Sequence, residues 1–323
     1  MPTWPFLVLL AVPLATPAEE AQLVEVRRIW DRAPHNAFTD LIRFHDRWFC
    51  ACREGTSHVA PDGALRVLTS ADGQEWTSAA LIRREGADLR DPKLAIAPDD
   101  RLMLVGAAAT PPPAPHTHQT FAWSSADGRD WGAAVPIGEP DVWLWRVTWH
   151  EATAYGVGYA TGGRHFARLY RSRDAKVFEP IVATLFDRGE PNESALAFLP
   201  DHTALCLLRR DGTPATGQLG TARPPYTSWT WKDLGTRIGG PSLLRLPDGR
   251  LVAAVRLHAP QVHTGLCWLD PEGGTPREFL ALPSGGDTSY PGLAWHEGRL
   301  WVSYYSSHEG KTSIYLAQVR PEP

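Results

Sequence analysis

Residues 192–212 read NESALAFLPDHTALCLLRRDG. Two apolar runs, 195–199 and 204–208, flank the turn signal Leu-Pro-Asp-His. That is the pattern of two antiparallel strands joined by a tight connection. A carboxylate, Glu193, opens the unit and the pair Arg209–Arg210 closes it. The same unit recurs as LIRFHDRWFCACR (41–53), LAIAPDDRLMLVGAA (94–108), VTWHEATAYGVGY (147–159), LLRLPDGRLVAAVRL (243–257) and LAWHEGRLWVSYY (293–305). Its polar turn residues are His45, Asp99, Glu151, Asp201, Asp248 and Glu297, separated by 54, 52, 50, 47 and 49 residues. Six units of this length predict an all-β fold, a six-bladed β-propeller of four-stranded antiparallel blades. The run 312–319 is expected to pair with residues 23–29, so that first and last segments close the ring and leave no free sheet edge.

Composition agrees with such a fold. The 323 residues are 43% apolar and 21% charged, with 28 glycines and 29 prolines to serve many short turns. A net charge of −4 argues against a nucleic-acid surface, though local arginines can still build a positive pocket. Residues 1–18 read as a signal peptide: an apolar stretch over 4–14, then the small-residue run Ala15-Thr16-Pro17-Ala18. The propeller domain is then 19–323, and the mature chain is expected to be secreted or periplasmic. No later apolar run approaches the ~18–20 residues that cross a bilayer. Cys50, Cys52, Cys206 and Cys267 all lie inside apolar strand runs, so buried thiols are expected rather than bridges. Their spacing suits no metal, and the pair His116/His118 is read as a surface loop; no cofactor is expected.

Each unit is followed by a second hairpin. Residues 70–76 (SADGQEW) and 125–131 (SADGRDW) both read Ser-x-Asp-Gly-x-x-Trp, and 172–178 (SRDAKVF) is a degraded copy. Serine and aspartate cap turn amides, glycine admits positive φ, and the ring plugs the space between strands. This turn resembles the Asp-box, or BNR repeat, of the sialidase (neuraminidase) superfamily. In that family the box lies on outer hairpins, so it implies the fold and leaves the chemistry open.

Internal symmetry points to the centre. Eight residues after each turn marker stand Arg53, Ala107, Tyr159, Arg209, Arg256 and Tyr305; eight before stand Ala37, Asp91, Trp143, Glu193, Gly240 and Ser289. Equivalent positions of successive blades share radius and height, so three arginines and two carboxylates are expected at the channel mouth. Such arginines serve equally in structural ion pairs. As a cluster they suit a carboxylated sugar, because the guanidinium fork binds carboxylates bidentately.

The resemblance to sialidases implies roles for these residues. Arg53, Arg209 and Arg256 would grip a substrate carboxylate, and Tyr290, in Asp-Thr-Ser-Tyr-Pro-Gly-Leu, would be the nucleophile with Glu193 as its base. Asp91 or Asp62 would be the acid/base, with His58 nearby, and Tyr305 would line the channel. A tyrosine suits this task because an anionic nucleophile is repelled by a substrate carboxylate. The family's first arginine normally sits on the first inner strand, where this chain has Asn36-Ala37-Phe38-Thr39-Asp40; Arg53 is the substitute one strand later. Arg90-Asp91-Pro92 also resembles a motif of five-bladed furanosidases, for which Asp40, Asp91 and Glu193 would be the working trio. A non-catalytic carbohydrate-binding propeller, and a lyase using Tyr290 or His58 as base, are the remaining readings. In each case the partner is a glycan or acidic monosaccharide.

Overall fold

The computed structural model describes residues 21–322; the leader expected over 1–18 lies outside the described residues. Within them, 24 strands form six four-stranded antiparallel sheets. Blades 1 to 5 occupy residues 35–82, 88–137, 142–186, 191–233 and 239–282, each with its strands in sequence order. Blade 6 takes three strands from 288–321, and its fourth, outermost strand is Ala21–Trp30. That strand pairs with Ser313–Pro321 from Ala21↔Pro321 to Trp30↔Ile314, which is the expected closure. Among the described residues no helix is long and apolar enough to cross a membrane.

The burial gradient explains why the inner strands read as apolar runs. Arg47–Gly55 and Arg299–Ser306 are buried at every residue but the first, because neighbouring blades cover both of their faces. Outer strands such as Thr77–Ile82 and Thr230–Asp233 are largely exposed. Apolar side chains form six clusters at the blade interfaces. The one between blades 6 and 1, where Trp48 lies 4.6 Å from Trp301, centroid to centroid, extends to Ala107 of blade 2 and to Trp143, Trp145 and Tyr159 of blade 3. All four cysteines are buried free thiols within these cores.

The Ser-x-Asp-Gly-x-x-Trp turns lock onto the preceding blade around the ring. Ser70 Oγ accepts from Gly73 N at 2.8 Å, Asp72 Oδ1 accepts from Gln74 N at 2.8 Å, and Trp76 Nε1 donates to Gly73 O at 3.0 Å. Residues 125–131 repeat this pattern. At Gly128 (φ 72°) a Cβ would come within 2.2 Å of the Phe49 ring of blade 1, so the glycine serves both the turn and the contact.

One irregularity recurs in all six blades. Every inner strand carries one extra residue against its neighbour, with register shifts at 37/40, 90/93, 144/146, 191/194, 239/242 and 289/292. These bulges contain Phe38 (φ 58°), Asp91 (φ 48°), Gly240 (φ 53°) and Tyr290 (φ 49°). A bulge re-aims the side chains it carries. Here it sets the ring of residues at the centre of the molecule.

Contact between blades 6 and 1 is closest at Gly292, where a Cβ would lie 2.1 Å from Leu41 N and 2.6 Å from Asp40 C. Backbone cannot yield there, so Gly292→Ala should cost about 3 kcal/mol or more. Gly298 (φ 72°) has nothing within 4 Å of its Cβ position, so Gly298→Ala should lose only about 1–2 kcal/mol, from the left-handed backbone. Urea unfolding of the two variants measures the difference; equal losses would show that the blade contact is not tight.

Candidate active site

The carboxylate of Glu193 is where the inner strands of three blades meet. Its Oε1 accepts a short hydrogen bond from the Tyr290 hydroxyl of blade 6. Its Oε2 accepts from Gly240 N of blade 5 at 2.9 Å and from Arg209 Nη1 of blade 4 at 2.9 Å. Arg209 Nη1 also donates to the Tyr290 oxygen at 3.0 Å, so one guanidinium nitrogen faces both members of the pair. Tyr290 must pass over blade 5 to reach Glu193. A Cβ on Gly240 would lie 2.8 Å from the Tyr290 ring, which is why that position is bare.

Charge at this centre is arranged in opposition. Burial works against ionised Glu193, but Arg209, Tyr290 and the Gly240 amide outweigh it and hold the carboxyl below its usual range. Burial, reinforced by the Glu193 anion, pushes the Tyr290 hydroxyl well above its usual value, with Arg209 and Arg256 opposing. Tyr290 is therefore the protonated member of the pair and Glu193 the ionised one. Arg256 stands 5.1 Å over the Tyr290 ring, held by Thr288 O at 2.8 Å and the Tyr305 hydroxyl at 3.0 Å. Its Nη1 has no protein partner among the described residues.

Asp91 lies in the equivalent bulge of blade 2. It is buried, and its Oδ2 accepts from Trp145 Nε1 at 3.0 Å. Burial pushes its carboxyl up to about 6, against the pull of Lys93. Lys93 is fully buried beside it, donates to Thr39 O at 3.0 Å, and lies 4.6 Å over the Trp145 ring. Burial, then Arg146, lower its ammonium to about 8. Asp40 is spent within the channel: Arg146 Nη1 donates to both of its oxygens at 3.2 and 3.3 Å, and Leu94 N donates to Oδ2 at 2.7 Å. Arg146 thus faces the channel, while Trp143 stacks on Tyr159 at 5.8 Å.

Two expected residues lie elsewhere. Arg53 does not join Arg209 and Arg256. Its fully buried guanidinium donates from Nε (2.9 Å) and Nη2 (2.8 Å) to Asp88 Oδ1 and from Nη1 (2.9 Å) to Ser57 O. A buried carboxylate at the blade 1–blade 2 interface outcompetes the channel for this cation. Asp62 is exposed and caps its own loop, accepting from Thr56 N and Oγ1, both at 3.1 Å. The expected three-arginine cluster is therefore a pair. Tyr305 is fully buried and donates to Asp287 Oδ1 at 2.6 Å while accepting from Arg256, so it braces the arginine. His116 is exposed and meets Asp141 at 3.4 Å.

The sequence reading missed the Gly240 amide, Lys93, and Asp211, which takes Arg209 Nε at 2.9 Å. It also missed Asp287, whose Oδ2 lies 3.0 Å from His35 Nε2 and 2.7 Å from His58 Nδ1. Burial opposes ionisation of Asp287, but the two imidazoles and Tyr305 hold it well below the usual carboxylate range.

Because the folded-state value of Asp91 is raised, its contribution to stability is present below about pH 4 and is lost as pH rises through about 6. Asp91→Asn lacks that loss. The stability of the variant relative to the parent should rise by on the order of 2–3 kcal/mol between pH 4 and 7, read by urea unfolding at each pH. A pH-independent difference would mean that Asp91 titrates as an ordinary carboxylate.

No family model matches the chain, and no curated protein matches it. Solved structures do. A Dyadobacter fermentans protein of unknown function aligns over 95% of this chain and 100% of its own, with TM-score 0.84 and 20% identity. The Penicillium chrysogenum alpha-L-arabinanase complexed with arabinobiose aligns over 92% and 98%, with TM-score 0.70 and 13% identity. The Trypanosoma rangeli sialidase in complex with sialic acid gives TM-score 0.66 at 10% identity, over 95% of this chain and 59% of that one. The chain thus shares its six-bladed propeller fold with sialidases and arabinanases.

Proposed function

We propose that the protein is a retaining exo-glycosidase that removes a terminal carboxylated sugar, with Tyr290 as nucleophile. The observation that carries this reading is the Tyr290 hydroxyl bonded to Glu193, with Arg209 donating to both. A phenol paired with a buried base is a costly way to build a nucleophile unless a carboxylate nucleophile would be repelled by the substrate. Arg256 keeps one guanidinium nitrogen, Nη1, without a protein partner among the described residues, beside the Tyr290 ring. His258, two residues on, is pushed down to about 4 by burial and by Arg237, Arg256 and Arg209, which marks a cationic mouth.

In this reading the Tyr290 oxygen attacks the anomeric carbon while Glu193 Oε1 takes the phenol proton. Asp91, with its raised pKa, protonates the departing glycosidic oxygen. Asp91 then takes a proton from the water that cleaves the tyrosyl–sugar bond, and Glu193 returns its proton to the phenolate. Arg209 and Arg256 hold the carboxylate and stabilise the charge that develops on the phenolic oxygen. The Tyr290–Glu193 geometry, with Arg209 donating to both, supports this order of events.

A neutral furanoside is the second reading. It is favoured by the position of Arg53 and by the way Glu193 and Asp211 neutralise Arg209. Arabinanase-like neighbours support it, whereas the pairing of Asp40 with Arg146 weighs against the Asp40/Asp91/Glu193 trio.

Fluorogenic α-sialosides, uronides and α-L-arabinofuranosides, assayed side by side, separate the readings. Tyr290→Phe should lower turnover of the preferred substrate by at least about a thousandfold while binding persists. Arg256→Ala should weaken binding of acidic sugars and leave neutral ones unaffected. Undiminished hydrolysis by the Tyr290 variant would rule the mechanism out, and binding with no turnover of any sugar by the parent would indicate a carbohydrate-binding module.

A further inference from the structure

We propose that His35, His58 and Asp287 form a binding site for a divalent transition cation of the zinc class, at the seam between blades 1 and 6. The inference is independent of the glycosidase reading. The three residues come from separate segments: the start of the first inner strand, the loop between the second and third strands of blade 1, and the turn entering blade 6. His35 Nε2 and His58 Nδ1 lie 3.0 and 2.7 Å from the same oxygen, Asp287 Oδ2, and the three ligand atoms all lie within 4.8 Å of one another. Donor atoms that share a zinc ion at about 2.0–2.2 Å stand roughly 3–3.4 Å apart, so the two histidine–aspartate edges need to open by only a few tenths of an ångström.

The rest of the carboxylate is already arranged for this. Oδ1 takes the Tyr305 hydroxyl at 2.6 Å and faces Arg256 Nη2 at 3.8 Å, while both imidazoles approach Oδ2. A hydroxyl that orients the carboxylate from behind is the usual outer support of a metal ligand. The Arg256 charge opposes a cation, but it lies on the far oxygen, with the carboxylate anion between. Two imidazoles and a carboxylate select zinc, cobalt or nickel over magnesium and calcium, which prefer all-oxygen shells.

His35 is buried, and both imidazoles turn toward the one carboxylate oxygen, Asp287 Oδ2. His58 is half-exposed, so a cation held by these three ligands keeps a coordination position open to solvent. Bound there, it would fasten the 56–63 loop to blade 6 and, through Asp287 and Tyr305, fix Arg256.

Chelator-stripped protein, titrated with Co²⁺ and then Zn²⁺, tests the site. The expected result is one Co²⁺ per chain with visible d–d absorption, its displacement by Zn²⁺, and a rise in Tm with either metal. His58→Ala, at a half-exposed position, and Asp287→Asn, which keeps the side-chain shape, should each weaken binding by at least about a hundredfold. The metal-free Tm of both variants reports whether they fold. His150, Glu151 and His202 form another cluster on the turns of blades 3 and 4, so His202→Ala is the control and should bind as the parent does. Absence of absorption and of any Tm shift in the parent would overturn the proposal. So would loss of binding in His202→Ala with His58→Ala unaffected.

Discussion

A single buried carboxylate organises the centre of this molecule. Glu193 accepts from a phenol, a backbone amide and a guanidinium that belong to three consecutive blades. A buried anion is tolerated only when its lone pairs are met by well-placed donors, so the inner strands of blades 4, 5 and 6 are held to one relative position. The bare backbone at Gly240 and the left-handed φ at Tyr290 follow from that constraint. Strain at such positions persists because the surrounding donors overdetermine it.

The rest of the channel repeats the theme with different partners. Lys93 and Arg146 bring positive charge into a dry interior; Asp40 and Asp91 oppose it. Asp40 is fully engaged and reads as structure. Asp91 keeps one bonded oxygen and a raised pKa, the condition of a group that can give up a proton near neutrality. Charge pairs of similar composition are thus divided between holding the ring and serving its mouth.

Much of the architecture was legible because a propeller writes the same hairpin six times, and each copy carries its own turn marker, from His45 to Glu297. Glu193, Arg209 and Arg256 were found by comparing copies; Tyr290 needed the family resemblance, since the offset that worked at Glu193 pointed to Ser289 in blade 6. Turn length accounts for this: residues 199–203 lie between the paired Phe198 and Ala204 in blade 4, but only Glu297 and Gly298 lie between His296 and Arg299 in blade 6, so a count from the turn marker lands at a different place in the bulge. Arg53 stands at the same offset as Arg256, yet its partner Asp88 lies 35 residues away on the next blade. Nothing local distinguishes an arginine that will be pulled outward from one that will not. The cluster at Asp287 was hidden for the same reason, with its histidines 252 and 229 residues distant.

The pairing of Ala21–Trp30 with the last strand has a consequence for assembly. Blade 6 is complete only when Ser313–Pro321 has paired with Ala21–Trp30, a strand far away in the sequence, and Tyr290 belongs to blade 6. Glu193 and Arg209 meet within blade 4, whereas the phenol reaches them from a blade that needs this long-range pairing. The contact of Tyr290 with Glu193 therefore belongs to the closed circle, which ties the geometry of the centre to finished topology.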